Sequence, residues 1–109
     1  MPVPPNSATA SSVNGTLVAA SLLLDNNSQQ ARIVLSGTYT GVTGTIDVSM
    51  DGTTWINHAA VDEADNTIAT GTLTASAANK TYLVPCEGFM YVRYNCSACA
   101  SGTCVQTVY

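Results

Sequence analysis

The chain has 109 residues, of which only 9% are charged against a usual ~25%, and its three Lys and Arg residues stand against seven acids for a net charge of −4. A chain of this length holds one domain with one core. Electrostatic attachment to nucleic acid needs cations clustered on one face; Arg32, Lys80 and Arg93 are dispersed along the sequence, which excludes nucleic acid as a direct ligand.

Residues 1–14 read as an extended N-terminal arm. Pro2, Pro4 and Pro5 favour an extended course and remove backbone donors. The start has neither a basic segment nor an apolar one, so no export signal is expected. The first strand is expected over Gly15–Leu24. Its apolar run is far shorter than the ~20 residues a membrane-spanning helix needs, so no membrane association is expected. Asp25–Gln30 is a polar turn, and Ala31–Tyr39 a strand with Ile33 and Leu35 on one face and Arg32, Val34 and Ser36 on the other. After a turn at Thr40–Gly44, Thr45–Met50 alternates, with Ile46, Val48 and Met50 inward and Thr45, Asp47 and Ser49 outward. Asp51-Gly52 is a tight-turn signal, since both residues accept positive φ. Thr53–Asn57 resumes the strand with Trp55, the only tryptophan, as a core residue.

Ala59–Asn66 carries Asp62, Glu63 and Asp65 and reads as a solvated loop. Thr67–Ala75 is compatible with a strand, with Ile68 and Leu73 as its apolar points. Thr81–Cys86 is a strand that ends at Pro85, whose missing N–H suits a strand end. Glu87-Gly88 turns. In Phe89–Ser97, Met90, Val92, Tyr94 and Cys96 share the inward face, while Tyr91, Arg93 and Asn95 share the outward one. Ala100-Ser101-Gly102 is the last turn before Thr103–Tyr109. About eight short strands separated by Gly-rich turns point to an all-β antiparallel sandwich or jelly roll over residues 15–109, with Ile46, Val48, Trp55, Val92 and Tyr94 as core.

The chemistry-bearing residues are few. His58 has no second ligand nearby, no Gly-x-Ser-x-Gly elbow is present, and the acids at 62–65 lack the ligand offsets of a calcium loop. No enzyme activity, cofactor or catalytic residue is expected. The Asn-x-Ser/Thr sequons at Asn14, Asn26, Asn79 and Asn95 matter only on a secretory route. Cys86, Cys96, Cys99 and Cys104 leave three readings open: a disulfide, buried free thiols, or a four-thiolate zinc site. If Ser101-Gly102 were a two-residue hairpin loop, Cys99 and Cys104 would face each other at bridging distance. Tyr91 and Arg93, outward and adjacent in space, are of the residue types enriched at binding hot spots.

Ser-Gly-Thr-Tyr-Thr-Gly-Val-Thr (36–43), Ser-Met-Asp-Gly-Thr-Thr-Trp (49–55), Lys-Thr-Tyr (80–82), Gly-Phe-Met-Tyr-Val-Arg (88–93) and Ala-Ser-Gly-Thr (100–103) together resemble the small β-domains of tailed-bacteriophage virions. The resemblance runs from about Gly15 to the C-terminus and departs from that pattern at the four cysteines, where Val, Thr or Tyr is expected. It implies a virion structural protein: a capsid decoration (cement) protein, or alternatively a carbohydrate- or host-surface-binding module of a tail or fibre. The decoration reading carries further expectations. They are a location on the outer capsid surface, the major capsid protein as partner, a homo-oligomer (a trimer rather than a dimer), and an arm that makes the capsid contact through Pro2, Val3, Pro4, Pro5 and Val13.

Overall fold

A computed structural model describes residues 8–13, 19–23, 30–75, 80–99 and 102–109; within them the side chains of Val13, Ala20 and Ser21 are outside the description. Eleven strands occur in place of the eight expected, with no helix among the described residues: β1 (Ala8–Val13), β2 (Ala19–Leu23), β3 (Gln30–Gly37), β4 (Val42–Ser49), β5 (Ile56–Asn57), β6 (Ala60–Asp62), β7 (Thr67–Ala69), β8 (Leu73–Ala75), β9 (Lys80–Pro85), β10 (Tyr91–Cys99) and β11 (Thr103–Val108). All pairings are antiparallel. A six-stranded sheet in the order β1-β11-β3-β9-β6-β7 packs on a five-stranded sheet in which β2-β10-β4-β5 run side by side and β8 also pairs with β4.

The inner faces follow the alternation of the sequence. Ile33, Leu35, Val84 and Val108 from the first sheet meet Val42, Ile46, Val48, Val92 and Tyr94 from the second, all at 0–1% exposure. Each such side chain taken from water contributes about 1.5–3 kcal/mol, and a contiguous set of them is what holds two sheets of short strands together. Inside the sandwich Ser12 Oγ donates to Gln106 Oε1 at 3.3 Å, linking β1 to β11, while Gln106 Nε2 and the Tyr94 hydroxyl are buried without a hydrogen-bond partner among the described residues.

Several expectations need correction. Residues 8–13 are no arm. They form β1, an edge strand in register with β11 from Ala8↔Val108 to Val13↔Thr103. The small inward residues Ala8, Ala10 and Ser12 cover the core at that edge without an apolar run that would announce a strand. Val13 therefore belongs to a ladder, whereas Pro2, Val3, Pro4 and Pro5 lie outside the described residues. Residues 59–66 are only in part a solvated loop: 60–62 form β6, paired with β7, and the exposed turn is confined to 63–66, with Asn66 at φ +60°. Ile68, expected as an apolar anchor, is 75% exposed on that hairpin's outer strand. The Gly15–Leu24 strand is seen as β2 at Ala19–Leu23, and β9 stops at Pro85 as the missing N–H requires.

Candidate functional site

The outer face of the five-stranded sheet is where the sequence places its outward Tyr91 and Arg93. β10 lies between β2 and β4, with Arg93 opposite Ser21 on one side and Asp47 on the other. Residues directly opposite in an antiparallel pair point to the same face, so Arg93 and Asp47 meet there. Arg93 Nε donates to Asp47 Oδ2 at 3.0 Å, and the Thr45 hydroxyl donates to the same oxygen at 3.3 Å. Trp55 roofs this pair: the guanidinium carbon stands 4.3 Å from the indole centroid. A cation over an aromatic face is attracted by the ring quadrupole, the more so once partly desolvated. The Tyr91 ring closes the cluster edge-on to Trp55, with centroids 6.3 Å apart and planes at 70°.

Trp55 is thus no core residue. It is half-buried on the outside and covers the outward residues beneath it, so exposure there departs from what the sequence suggests although Asp47 and Ser49 keep the outward face. Met50, expected inward, is 59% exposed; Asp47 and Ser49, expected outward, are buried at 6% and 0%. The cause lies at 50–54, where the chain leaves the ladder in a series of bends. Ser49 Oγ accepts the N–H groups of Asp51 (3.2 Å) and Gly52 (2.8 Å), and Asp51 Oδ1 accepts those of Thr53 and Thr54, both at 2.8 Å. These bonds hold the Asp51 carboxyl below its ordinary range, the Thr54 and Thr53 N–H groups doing most. The loop folds back over β10: a Cβ on Gly52 would stand 3.1 Å from the Tyr91 ring. Strand alternation ends at Ser49, and the loop delivers the tryptophan to the outer face.

Of the residues singled out in the sequence, Tyr91 and Arg93 are brought together with Trp55 and Asp47. Leu23, paired with Tyr91 across β2, is 53% exposed and adds an apolar margin, as does Met90 at 38%. Other candidates are engaged elsewhere. His58 donates from Nε2 to the Pro85 carbonyl at 2.6 Å and tilts over Phe89. Asp62 pairs with Lys80, Glu63 accepts from Arg32 Nε at 2.9 Å, and Asp65 accepts from the Thr67 hydroxyl at 2.6 Å. No group of three or more His, Cys, Asp or Glu side chains suited to a metal ion occurs among the described residues. An open depression of about 580 Å³ on the six-stranded sheet is lined by Arg32, Val34, Glu63, Thr81 and Tyr109.

The four cysteines are buried free thiols. Cys99 and Cys104 do not face each other across a hairpin ladder, because β10 and β11 belong to different sheets: Cys99 pairs with Val42, and Cys104 with Gly37 and Ser12. Burial, with Cys96 and Cys99 nearby, pushes the Cys104 thiol up to about 12, and burial raises Cys86 as well. The clue that sequence reading passed over is the role of Asp51. An Asp followed two and three residues later by Thr N–H groups favours a side-chain-capped loop over a two-residue hairpin turn, and such a loop frees Trp55 from the alternation.

No family model matches the chain, and no curated protein matches it. Among solved structures, it is similar to the SPBc2 prophage-derived protein YomS, with a TM-score of 0.71 and 9% identity over 99% of this chain and 97% of that one. It is also similar to the PBSX exported protein XepA, with a TM-score of 0.68 and 14% identity over 99% of this chain but only 39% of XepA. At these identities the likeness is one of fold: the β-sandwich described above is an architecture that this chain shares nearly end to end with YomS and with a part of XepA.

Proposed function

We propose that the chain is a structural protein of a bacteriophage particle, one that decorates the outer surface of the head and reinforces contacts between major capsid subunits. The observation that carries this reading is the end-to-end correspondence with a prophage-derived protein. A protein that matches over 99% of its own length and 97% of its neighbour's is built to the same plan. The motifs at 36–55 and 88–108 point the same way. The low charge and hydroxyl-rich surface suit a subunit that spends its life against others. In this reading the major capsid protein is the partner, Trp55, Tyr91 and Arg93 form the polar-aromatic centre of the contact, and the protein acts as a homo-oligomer, a trimer rather than a dimer.

Purification of particles through a density gradient, followed by quantitative mass spectrometry, tests it. Hundreds of copies per particle, released when Tyr91 and Arg93 are both replaced by Ala, are expected of a decoration protein. Absence from particles overturns the reading, and a few copies confined to tails shifts it to the alternative. That alternative, a carbohydrate- or host-surface-binding module, is favoured by one observation: Trp55 sits outside the core beside Tyr91. A glycan array probed with the protein and with Trp55→Ala separates the two, since only the second reading expects a signal that the substitution removes.

A further inference from the structure

The cysteines at the end of β10 are placed by a feature that alternation does not provide. Cys96 points into the sandwich, and a regular strand would then send Ala98 inward and Cys99 out. Instead the β10–β4 register shifts between Cys96 and Ala98, so Ser97 and Ala98 are both exposed while Cys99 is buried. A bulge of this kind re-aims the side chains that follow it. It sends Cys99 towards the other sheet, where its Sγ lies 3.8 Å from the Ser12 carbonyl and 3.8 Å from that of Gly102. Ser12 is the residue directly opposite Cys104 in the β1–β11 ladder. Two buried thiols from different sheets are therefore gathered at one residue of β1.

The entry to β11 is held in shape. Gly102 sits at φ +76°, and a Cβ there would come within 2.3 Å of the Thr38 carbonyl oxygen, so only glycine fits. Thr38 N–H donates to the Thr103 carbonyl at 2.9 Å, fastening the start of β11 to the end of β3. Cys99 and Cys104 thus flank the short crossover by which the chain passes from one sheet to the other. Cys86 precedes the 87–88 turn at the end of β9, in another part of the chain.

We propose that Cys99 and Cys104 are a redox pair, joined on oxidation into a disulfide that staples the crossover between the two sheets. The oxidant is a low-molecular-weight disulfide. The Cys99 thiolate attacks it, forming a mixed disulfide and expelling one small thiol. The Cys104 thiolate then attacks the Cys99 sulfur and expels the second. Two protein S–H bonds are lost, one S–S bond forms, and the two electrons and two protons leave on the two small thiols. Cys99, at the strand end, is the point of entry. Cys104, fully buried and held as a thiol, reacts only when β11 opens locally, so closure is slow at neutral pH and faster in alkali.

The test uses the full chain, folded and without denaturant, incubated with oxidised glutathione or kept reduced with dithiothreitol. Free thiols are blocked with one alkylating reagent, and disulfide sulfurs are then reduced and labelled with a second. Fragmentation of the tryptic peptide 94–109 tells Cys96, Cys99 and Cys104 apart. The expected result is second-reagent label on Cys99 and Cys104 alone, and a melting temperature about 10 °C above that of the reduced chain. Cys96→Ser retains the bridge, and Cys99→Ser abolishes it. A bridge that includes Cys96 or Cys86, one between two chains, one that forms only in denaturant, or no bridge at all overturns the proposal.

Discussion

β4 and β10 run side by side through the middle of the five-stranded sheet, and their two faces are built on different principles. Inward, Gly44, Ile46 and Val48 meet Val92, Tyr94 and Cys96; none is more than 5% exposed where a side chain is present. Outward, Thr45 and Asp47 meet Tyr91 and Arg93 under the Trp55 ring. The inner face is governed by volume, since interiors are packed as densely as organic crystals and tolerate neither voids nor excess. The outer face is governed by charge in a half-wet setting, where an aromatic lid decides how much water reaches an ion pair. The same two strands thus separate packing from electrostatics, and each face has its own way of being broken.

Alkali acts chiefly on the buried thiols and phenols and is expected to have the largest effect. Cys104 is raised from 9.0 to about 12 and Tyr39 from 10.0 to about 12, each chiefly by burial, and burial raises Tyr82 and Tyr94 too. A group whose folded pKa lies above its unfolded one stabilises the fold fully below the unfolded value and loses that contribution as pH rises through the folded one. For Cys104 the window is pH 9 to about 12, and for Tyr39 pH 10 to about 12. Several groups titrating together bring cooperative unfolding within that window, read by circular dichroism against pH under reducing conditions. A fold that persists unchanged to pH 12 contradicts the burial of these groups.

Volume is tested at Gly44. A Cβ there would stand 2.5 Å from Tyr94 Cζ, 2.6 Å from its hydroxyl oxygen and 2.7 Å from the Asn95 carbonyl oxygen. The last of these is backbone in the central strand pair and has no room to retreat. Gly44→Ala is therefore expected to cost about 3 kcal/mol, at the upper end for overpacking, measured by urea unfolding. A change below ~0.5 kcal/mol means that the seam between Gly44 and Tyr94 is looser than described.

The two faces also differ in how far a sequence betrays them. Ile33 and Leu35 in β3, Ile46 and Val48 in β4, and Val92 and Tyr94 in β10 were legible, because a pleated strand against a core must alternate. Pro85 marked the end of β9 for an equally local reason. What stayed hidden depends on departures from the period. Trp55 looks like a core plug until the Asp51-capped bends remove it from the ladder, and with it Asp47 and Ser49 become buried and Met50 exposed. Cys99 has outward parity until the bulge reverses it. β1 shows no hydrophobic signal because Ala8, Ala10 and Ser12 are all small, and their burial is conferred by β11, nearly a hundred residues away in sequence. The outer cluster was half legible: Tyr91 and Arg93 follow from alternation in β10, but their Trp55 lid depends on a loop.

The outer face is broken at Asp47. Its side chain is 9% exposed and that of its partner Arg93 24%, so removal of the carboxylate leaves a guanidinium held under an indole with its counter-charge gone. Asp47→Ala is expected to cost about 2 kcal/mol, below the ~3–5 kcal/mol for breaking a fully buried pair because Arg93 retains some contact with water. Trp55→Ala is expected to cost less, about 1–2 kcal/mol, through lost burial and the lost cation–π contact. It should also make the Asp47–Arg93 contribution sensitive to salt, since the lid no longer keeps ions away. Urea unfolding of both variants at low and high sodium chloride reads the two effects. Identical salt dependence with and without Trp55 denies the ring any screening role.

The smallest effect is expected on the other sheet, where the same chemistry lacks a lid. Arg32 reaches Glu63 with Nε at 2.9 Å and its second guanidinium nitrogen at 3.4 Å, a two-pronged contact that looks better on distance than the single contact of Arg93. The Arg32 and Glu63 side chains are, however, 47% and 32% exposed. In that setting the Coulomb gain is weakened by water, and fixing two long side chains costs entropy, so exposed pairs contribute about 0–1 kcal/mol. Arg32→Ala is expected to change stability by no more than about 0.5 kcal/mol, and that difference should vanish in 0.5 M salt. The fold does not need the guanidinium at this position, because the backbone of Arg32 is fastened independently: its N–H donates to the Tyr109 carbonyl at 2.6 Å, and Tyr109 N–H donates back at 2.9 Å. A loss for Arg32→Ala equal to that for Asp47→Ala would mean that geometry, rather than cover, sets the strength of an ion pair on this sandwich. The aromatic lid would then have no energetic role of its own.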